Sequence, residues 1–458
     1  MIREVRHLML LLGVVLLGAG CSKDKGSTPE SGYNPPATAE RCVILYMPGR
    51  SLRSFYQQNI DGICRTVNAT VPGNGRMLVC WQPENSNRAT LQEIYYDTRE
   101  NGCEIRTLKQ YESFAAEDPT QVANVLRDAV AEAPARSYGL IIGCHGKAWV
   151  PSTAGNLSMN AVRPGTSTAE DVWMPAPGAL MTRSFGDPSH ELEISELASV
   201  LESQSVRFDY LIFDACFMAN IETLYDLRHA VDYVVASPCE IMAAGFPYDR
   251  ITPHLFADET PRSALEAACW EFWNFYENDW ATISSNEQSG CISLAVMSEL
   301  DALAAAMRNV TQAARQIYDL NALQSYEGFN NHLFFDLEQY VGESCADAGQ
   351  VDAFKTQLAN AFPVSCRLHT AQFYSAYNNR LNPVSYYSGG DGERAVAKFE
   401  GTGQSPYCLV SGHPLIPEGR GGAAINRPAT PPNRLSKAAI RAASIRFATR
   451  RRSASQSR

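Results

Sequence analysis

Two apolar runs in this chain end on side chains able to do chemistry. "GLIIGCHG" (139–146) leads to His145, and "YLIFDACFMANIE" (210–222) passes through Cys216. A thiolate attacks carbonyl carbon, and an imidazole can take the thiol proton and return it to a leaving amine. Each run has the continuous apolar character of a strand buried on both faces, and open α/β sheets bind ligands at the carboxyl ends of such strands. Taken singly, Cys216 reads as a packed core thiol and His145 as a hydrogen-bonded structural residue. Occurring together at two successive strand ends, they read as two halves of one site. His190 and His254 fall in loops, and His229 ends a helical stretch where a cation suits the dipole. "FMANIETLYDLRH" then shows helical spacing, with Met218, Ile221, Leu224 and Tyr225 on one side. This predicts Cys216 at a helix N-terminus, where the dipole favours thiolate. Gly146 can turn sharply, and its backbone N–H together with that of Cys216 forms a candidate oxyanion hole.

The elements that must position these residues are legible in outline. Strand-like runs occur at 41–47, 76–81, 138–145, 208–216 and 231–237. Asp118 and Pro119 open a helix with Val122, Val125, Leu126 and Ala129 on one face, and "ISELASVLES" places Ile194, Leu197, Val200 and Leu201 on one stripe. Strands alternating with helices predict a mostly parallel sheet covered on both sides. After residue 250 the pattern is mainly helical, with Thr260 and Pro261 opening one helix and Ser298 with Asp301 offering a capping box for another.

Length and composition bound the rest. A chain of 458 residues can bury a large core. A formal charge of −10 argues against broad nucleic-acid binding. Arg3 and Arg6 precede a short apolar stretch, Leu8 to Leu17, too short for an ordinary membrane span. Gly18, Ala19 and Gly20 then lead into Cys21, the arrangement of a bacterial lipoprotein signal in which Cys21 becomes the lipidated first residue. The expected location is therefore the bacterial cell envelope, exported and lipid-anchored. The 13 cysteines lie mostly in apolar runs, which argues against a disulfide framework, and no CxxC pair points to zinc. The division expected is a signal peptide (1–20), a flexible tether (21–40), a catalytic domain (41–250), a helical or mixed part packed on it (251–400) and a basic tail (401–458). From residue 403 the tail has one acidic residue against ten Arg and Lys, with no sustained periodicity, which reads as a disordered segment or a shifted reading frame.

The string "DACFMANIE", preceded by "FDYLIF" and followed by "VDYVVAS" and "GFPYDRI", resembles the clostripain family of cysteine peptidases, whose members carry Asp-Ala-Cys after a core strand. "YGLIIGCHG" is similar to the family's strand ending in His-Gly. "RSFGDPSHELEISELASVL" and "FFDLEQYV" resemble further family segments. The resemblance implies a caspase-like α/β fold, a dyad of His145 and Cys216, and cleavage of protein or peptide substrates after Arg or Lys, with Asp214 as an acid of the specificity pocket. The second pocket acid of the family has no obvious counterpart; in "SPCEIMAAGFPY" Glu240 is the only acid. "YMPGRSLRSF" lacks the family's Asp-Asn pair. Activation by self-cleavage in the loop 147–190, which contains Lys147, Arg163 and Arg183, is a further expectation. No cofactor is expected: calcium activates some relatives, but no DxDxDG loop is present. Two rival readings are a binding lipoprotein that keeps the fold without turnover, and a transpeptidase or ligase using the same thioester.

Overall fold

The structure is a computed structural model that describes residues 32–149, 176–183, 190–280, 288–313, 319–329 and 332–392. The signal peptide, Cys21, Arg163 and the basic tail lie outside the described residues.

Strand β1 (Ala39–Met47) is followed by helix α1 (Arg53–Thr66), β2 (Arg76–Trp81), β3 (Ala89–Asp97), β4 (Gly102–Tyr111), α2 (Pro119–Glu132) and β5 (Ala135–Gly143). Then come α3 (Ile194–Glu202), β6 (Phe208–Asp214), α4 (Ile221–Leu227), β7 (Val231–Ala236), α5 (Tyr248–Phe256), α6 (Pro261–Asn274), β8 (Cys291–Val296) and α7 (Leu300–Gln312). The strands form one sheet in which β2, β1, β5, β6 and β7 lie side by side and run parallel. At one edge β3 and β4 add antiparallel to β2; at the other, β8 adds antiparallel to β7, followed by Leu368–His369. This is the mostly parallel, helix-flanked sheet that the alternating pattern predicts.

The boundary expected at residue 250 does not divide the sheet, because β8 comes from the later part and pairs along β7. Nor is all of 21–40 a free tether. Tyr33 stacks on Tyr95 with ring centroids 4.4 Å apart and donates its hydroxyl to Glu93, and β1 begins at Ala39.

The connections explain the two cores. The chain leaves β1 through α1 to β2 on one side, then returns through α2 to β5 on the other. Tyr56, Ile60 and Ile63 of α1 pack on one sheet face with Val43, Leu45 and Met47. Val122, Val125 and Leu126 of α2 pack on the opposite face with Ile44, Tyr46 and Ile142. Period-two alternation along β1 therefore feeds both faces with apolar side chains. The reversal of direction at β1 makes its junction with β5 the switch point of the sheet, where open α/β sheets carry a crevice at the strand carboxyl ends. Helix starts follow ordinary capping chemistry: Asp118 accepts from the Thr120 N–H, and Thr260 from the Ser263 N–H. The box expected at Ser298 and Asp301 does not form; a short 3-10 turn, Met297–Glu299, leads into α7 instead.

Candidate functional site

In the β5–β6 ladder Gly143 pairs with Asp214. Both strands end there, and His145 and Cys216 each follow two residues later, side by side at the same rim. The Cys144 N–H reaches back to the Asp214 carbonyl at 3.3 Å and fastens the two strand ends together. Past the strand Gly146 comes so close to the next chain segment that a Cβ there would lie 2.3 Å from the Cys216 carbonyl oxygen. Only glycine allows this approach.

Cys216 does not open a helix. Phe217 adopts φ 61°, in the left-handed region, and α4 starts at Ile221 with Asn220 capping the Thr223 N–H. Phe217 is held in that turn by its N–H on the Cys239 carbonyl (3.1 Å) and by stacking on Phe334. Cys216 thus lacks the helix dipole that its sequence context predicts. The apparent helical spacing of Met218 and Ile221 comes from loop and helix residues buried against the same core. Cys216 is fully buried, and its Sγ accepts the Ile241 N–H at 3.1 Å. Burial pushes the thiol well above its ordinary pKa, and Glu240 adds to the rise. In this state Cys216 is a neutral thiol.

His145 is half-buried, with its Nε2 2.8 Å from the Ser51 hydroxyl. Ser51 lies just before α1 in "YMPGRSLRSF", the stretch that lacks an Asp-Asn pair, and nothing in its sequence context singles it out.

The remaining site is built around Arg183. Residues 181–183 lie antiparallel to 241–243: the Arg183 N–H donates to the Ile241 carbonyl (2.8 Å) and the Ala243 N–H to the Met181 carbonyl (3.0 Å). The Arg183 carbonyl oxygen accepts from both Gly146 (2.9 Å) and Cys216 (3.4 Å) N–H groups, the two donors expected to form an oxyanion hole. Its side chain is fully buried and meets Asp214, with Nη1 2.9 Å from Oδ2. Asn59 of α1 accepts from Nη2 (2.9 Å), the Ala243 carbonyl from Nε (3.3 Å), and the Tyr56 ring lies 5.7 Å from the guanidinium carbon. Tyr248 donates its hydroxyl to Asp214 Oδ2 at 2.9 Å. Gly245, at φ 73°, closes the pocket; a Cβ there would fall 2.3 Å from Arg183 Nη2 and 2.5 Å from Asp214 Oδ2. Burial raises the pKa of Asp214, while Arg183 and Tyr248 pull it down. Asp214 is thus the acid that meets a cation here.

Glu240 sits elsewhere. One of its oxygens accepts the Thr182 hydroxyl (2.8 Å) and the other the Ala376 N–H (2.9 Å), so it does not join Asp214 on the guanidinium. The second polar side chain on Arg183 is the neutral Asn59, which escapes sequence reasoning because nothing local marks an Asn in an amphipathic helix. Lys147 ion-pairs with Glu191. Asp336, in the "FFDLEQYV" segment, caps the helix Leu337–Ser344 and accepts from Tyr326 and Ser388, a bracing role. No group of His, Cys, Asp and Glu among the described residues is arranged to hold a metal ion.

A mostly parallel sheet that delivers His-Gly and Asp-Ala-Cys to neighbouring strand ends defines a caspase-like cysteine peptidase. Comparison with known proteins agrees. Residues 182–383 match the model of the clostripain family (peptidase C11), a range that holds Asp214, Cys216 and Glu240 and begins after His145. A secreted C11 cysteine protease from Bacteroides thetaiotaomicron, "iotapain", is 26% identical with a TM-score of 0.69, covering 82% of this chain and 100% of its own. A C11 protease from Parabacteroides distasonis, described as an inactive zymogen, is 25% identical with a TM-score of 0.66, covering 82% of this chain and 99% of its own. A second secreted C11 protease from B. thetaiotaomicron, in complex with an irreversible peptide inhibitor, shares the fold at 21% identity and a TM-score of 0.65, covering 81% of this chain and 99% of its own. No curated protein matches the chain. The family match over residues 182–383 and the shared fold make the chain similar to the clostripain family of cysteine peptidases.

Proposed function

We propose that the chain is the uncut precursor of an endopeptidase that cleaves after Arg or Lys, and that its first substrate is its own Arg183–Ser184 bond. One observation carries this reading: Arg183 occupies the site as a substrate residue would, with its carbonyl oxygen on the Gly146 and Cys216 N–H groups and its guanidinium on Asp214. A backbone pairing with 241–243 holds the residues before the cut in the extended form that peptidases bind.

In the mechanism that fits, the Cys216 sulfur bonds to the carbonyl carbon and its proton passes to His145. The oxygen gains negative charge and keeps its two N–H donors, which then bind it more strongly than they bind the carbonyl. Collapse breaks the carbon–nitrogen bond. The amine leaves with the proton from His145, and a thioester remains on Cys216. Water, deprotonated by His145, cleaves the thioester to a free carboxylate and the restored thiol. Asp214 selects the basic side chain by charge pairing. The Parabacteroides distasonis relative is described as an inactive zymogen; here the filled pocket and the neutral, buried Cys216 support the same state for this chain.

Cys21 anchors the exported protein to the cell envelope in this reading. Incubation of purified protein, with mapping of the new N-terminus, tests the cut. The expected N-terminus is Ser184, absent from Cys216→Ala and His145→Ala and unaffected by EGTA. Cutting at another bond in 147–190, or equal cutting in Cys216→Ala, overturns the assignment of Arg183.

A further inference from the structure

On the other side of the rim from the Arg183 pocket lies a cavity of about 260 Å³. Its floor is apolar: Tyr46 from the end of β1, Phe114, Ile142 from β5, Leu197 from α3, and Phe213 and Met218 around β6. Cys144, His145, Gly146 and Ala215 form the wall nearest the rim, so the cavity adjoins the acid–base group and one oxyanion donor. The two sites lie on opposite faces of the sheet. Tyr56 and Met47, which line or adjoin the Arg183 pocket, belong to the core under α1; Tyr46, Ile142, Leu197 and Phe213 belong to the core under α2 and α3. Arg183 sits in the first site, and His190, Glu191 and Leu192 line the second. A peptide whose carbonyl lies on the Gly146 and Cys216 N–H groups has its next residues at the ends of β5 and β6, beside the wall that Gly146 and Ala215 give the cavity. The cavity also occupies the crevice at the β1–β5 switch point, where sheets of this kind bind ligands.

We infer that this cavity is a second specificity site of the peptidase, receiving one bulky apolar side chain, aromatic or branched, from the first two residues after the scissile bond. The inference rests on the peptidase reading above. The cavity falls below the roughly 300–1,000 Å³ of sites that enclose whole small molecules, which suits a single side chain. Its rim carries Glu117 paired with His190 and Lys147 paired with Glu191. These rim groups already have partners in the fold, so selection falls to the apolar floor.

The test uses the self-cleaved enzyme and internally quenched peptides with Thr-Arg before the cut and Phe, Leu, Gly or Asp at each of the two positions after it. Phe or Leu at one of these positions is expected to raise kcat/KM about 10-fold over Gly, in line with what one apolar group contributes in a pocket. Leu197→Trp, which fills the cavity, is expected to collapse that ratio towards one. The ratio is internal to each variant, so a lower overall rate does not obscure it. Equal rates for all residues after the cut, or a preference that survives in Leu197→Trp, overturn the inference while Cys216-dependent cleavage after Arg leaves the peptidase reading standing. Absence of any Cys216-dependent turnover removes both.

Discussion

The two sides of the catalytic rim differ in how they are finished. On the α1 side the guanidinium of Arg183 is met by Asp214, Asn59 and a backbone carbonyl, and Gly245 leaves no room for another atom. On the α2 and α3 side the rim opens onto an apolar cavity bordered by His145. The dense side discriminates by charge and by the shape of a planar, forked cation; the open side can discriminate only by apolar contact. Breaking a charge pair in a dry pocket costs about 3–5 kcal/mol, and apolar contact contributes about 1–3. On the proposed reading the first side dictates where the enzyme cuts, and the second only adjusts how fast.

That ranking can be broken, beginning where the expected effect is greatest. Asp214→Asn leaves a cation without its counter-charge in a buried pocket, a loss of about 3–5 kcal/mol. Cleavage after Arg is expected to fall about 10²–10³-fold in kcat/KM, measured with an Arg-coumarin substrate, and the uncut protein is expected to melt at lower temperature. Pairing it with Arg183→Met should return the melting temperature of the uncut protein, because the melting effect belongs to the internal Arg183. Gly245→Ala should lower the same kcat/KM about 10–100-fold, since the new Cβ overlaps the position of the guanidinium and the backbone stays at φ 73°. An unchanged kcat/KM would show that this glycine does not close the pocket.

The pH dependence sharpens the same side. Burial raises the pKa of Asp214, so the carboxyl takes up its proton at a higher pH than the ordinary value near 4. Attraction for a basic side chain is complete above that raised value and lost as pH falls through it. KM for Arg substrates should accordingly rise on acidification before the ordinary carboxylate range is reached, and this limb should vanish in Asp214→Asn. The smallest effect is expected at Ser51→Ala. One neutral hydrogen bond of about 1 kcal/mol orients the His145 ring, so kcat should drop about 5-fold with KM unchanged. An unaltered kcat would remove Ser51 as a positioning residue.

How far the sequence discloses this site depends on distance along the chain. The apolar runs at 41–47, 76–81, 208–216 and 231–237 correspond to β1, β2, β6 and β7 because a strand buried on both faces needs uninterrupted apolar residues, and β5 is recognisable for the same reason. The β3–β4 hairpin gives no such signal. The edge strand β4 interleaves Glu104, Arg106 and Lys109 with apolar residues, as befits a solvated side, and β3 carries the buried, ion-paired Glu93. His145, Cys216 and Asp214 are legible because each ends or follows a strong strand. Asn59, Tyr56 and Tyr248 are not, since they reach the pocket from two helices far away in sequence and carry no local sign of doing so. Glu240 stands out by its charge alone, whereas the Met181–Arg183 pairing turns it towards Thr182 rather than Arg183.

The position of β5 beside β6 has a consequence for what the proposed cut would produce. Everything before Ser184 contributes β1 to β5, everything after it contributes β6 to β8, and the two halves meet along the ladder from Gly139–Tyr210 to Gly143–Asp214. Severing the chain there would leave that seam intact, so the mature molecule would run as two bands on a denaturing gel and as a single species on a sizing column, with neither fragment able to complete the sheet alone.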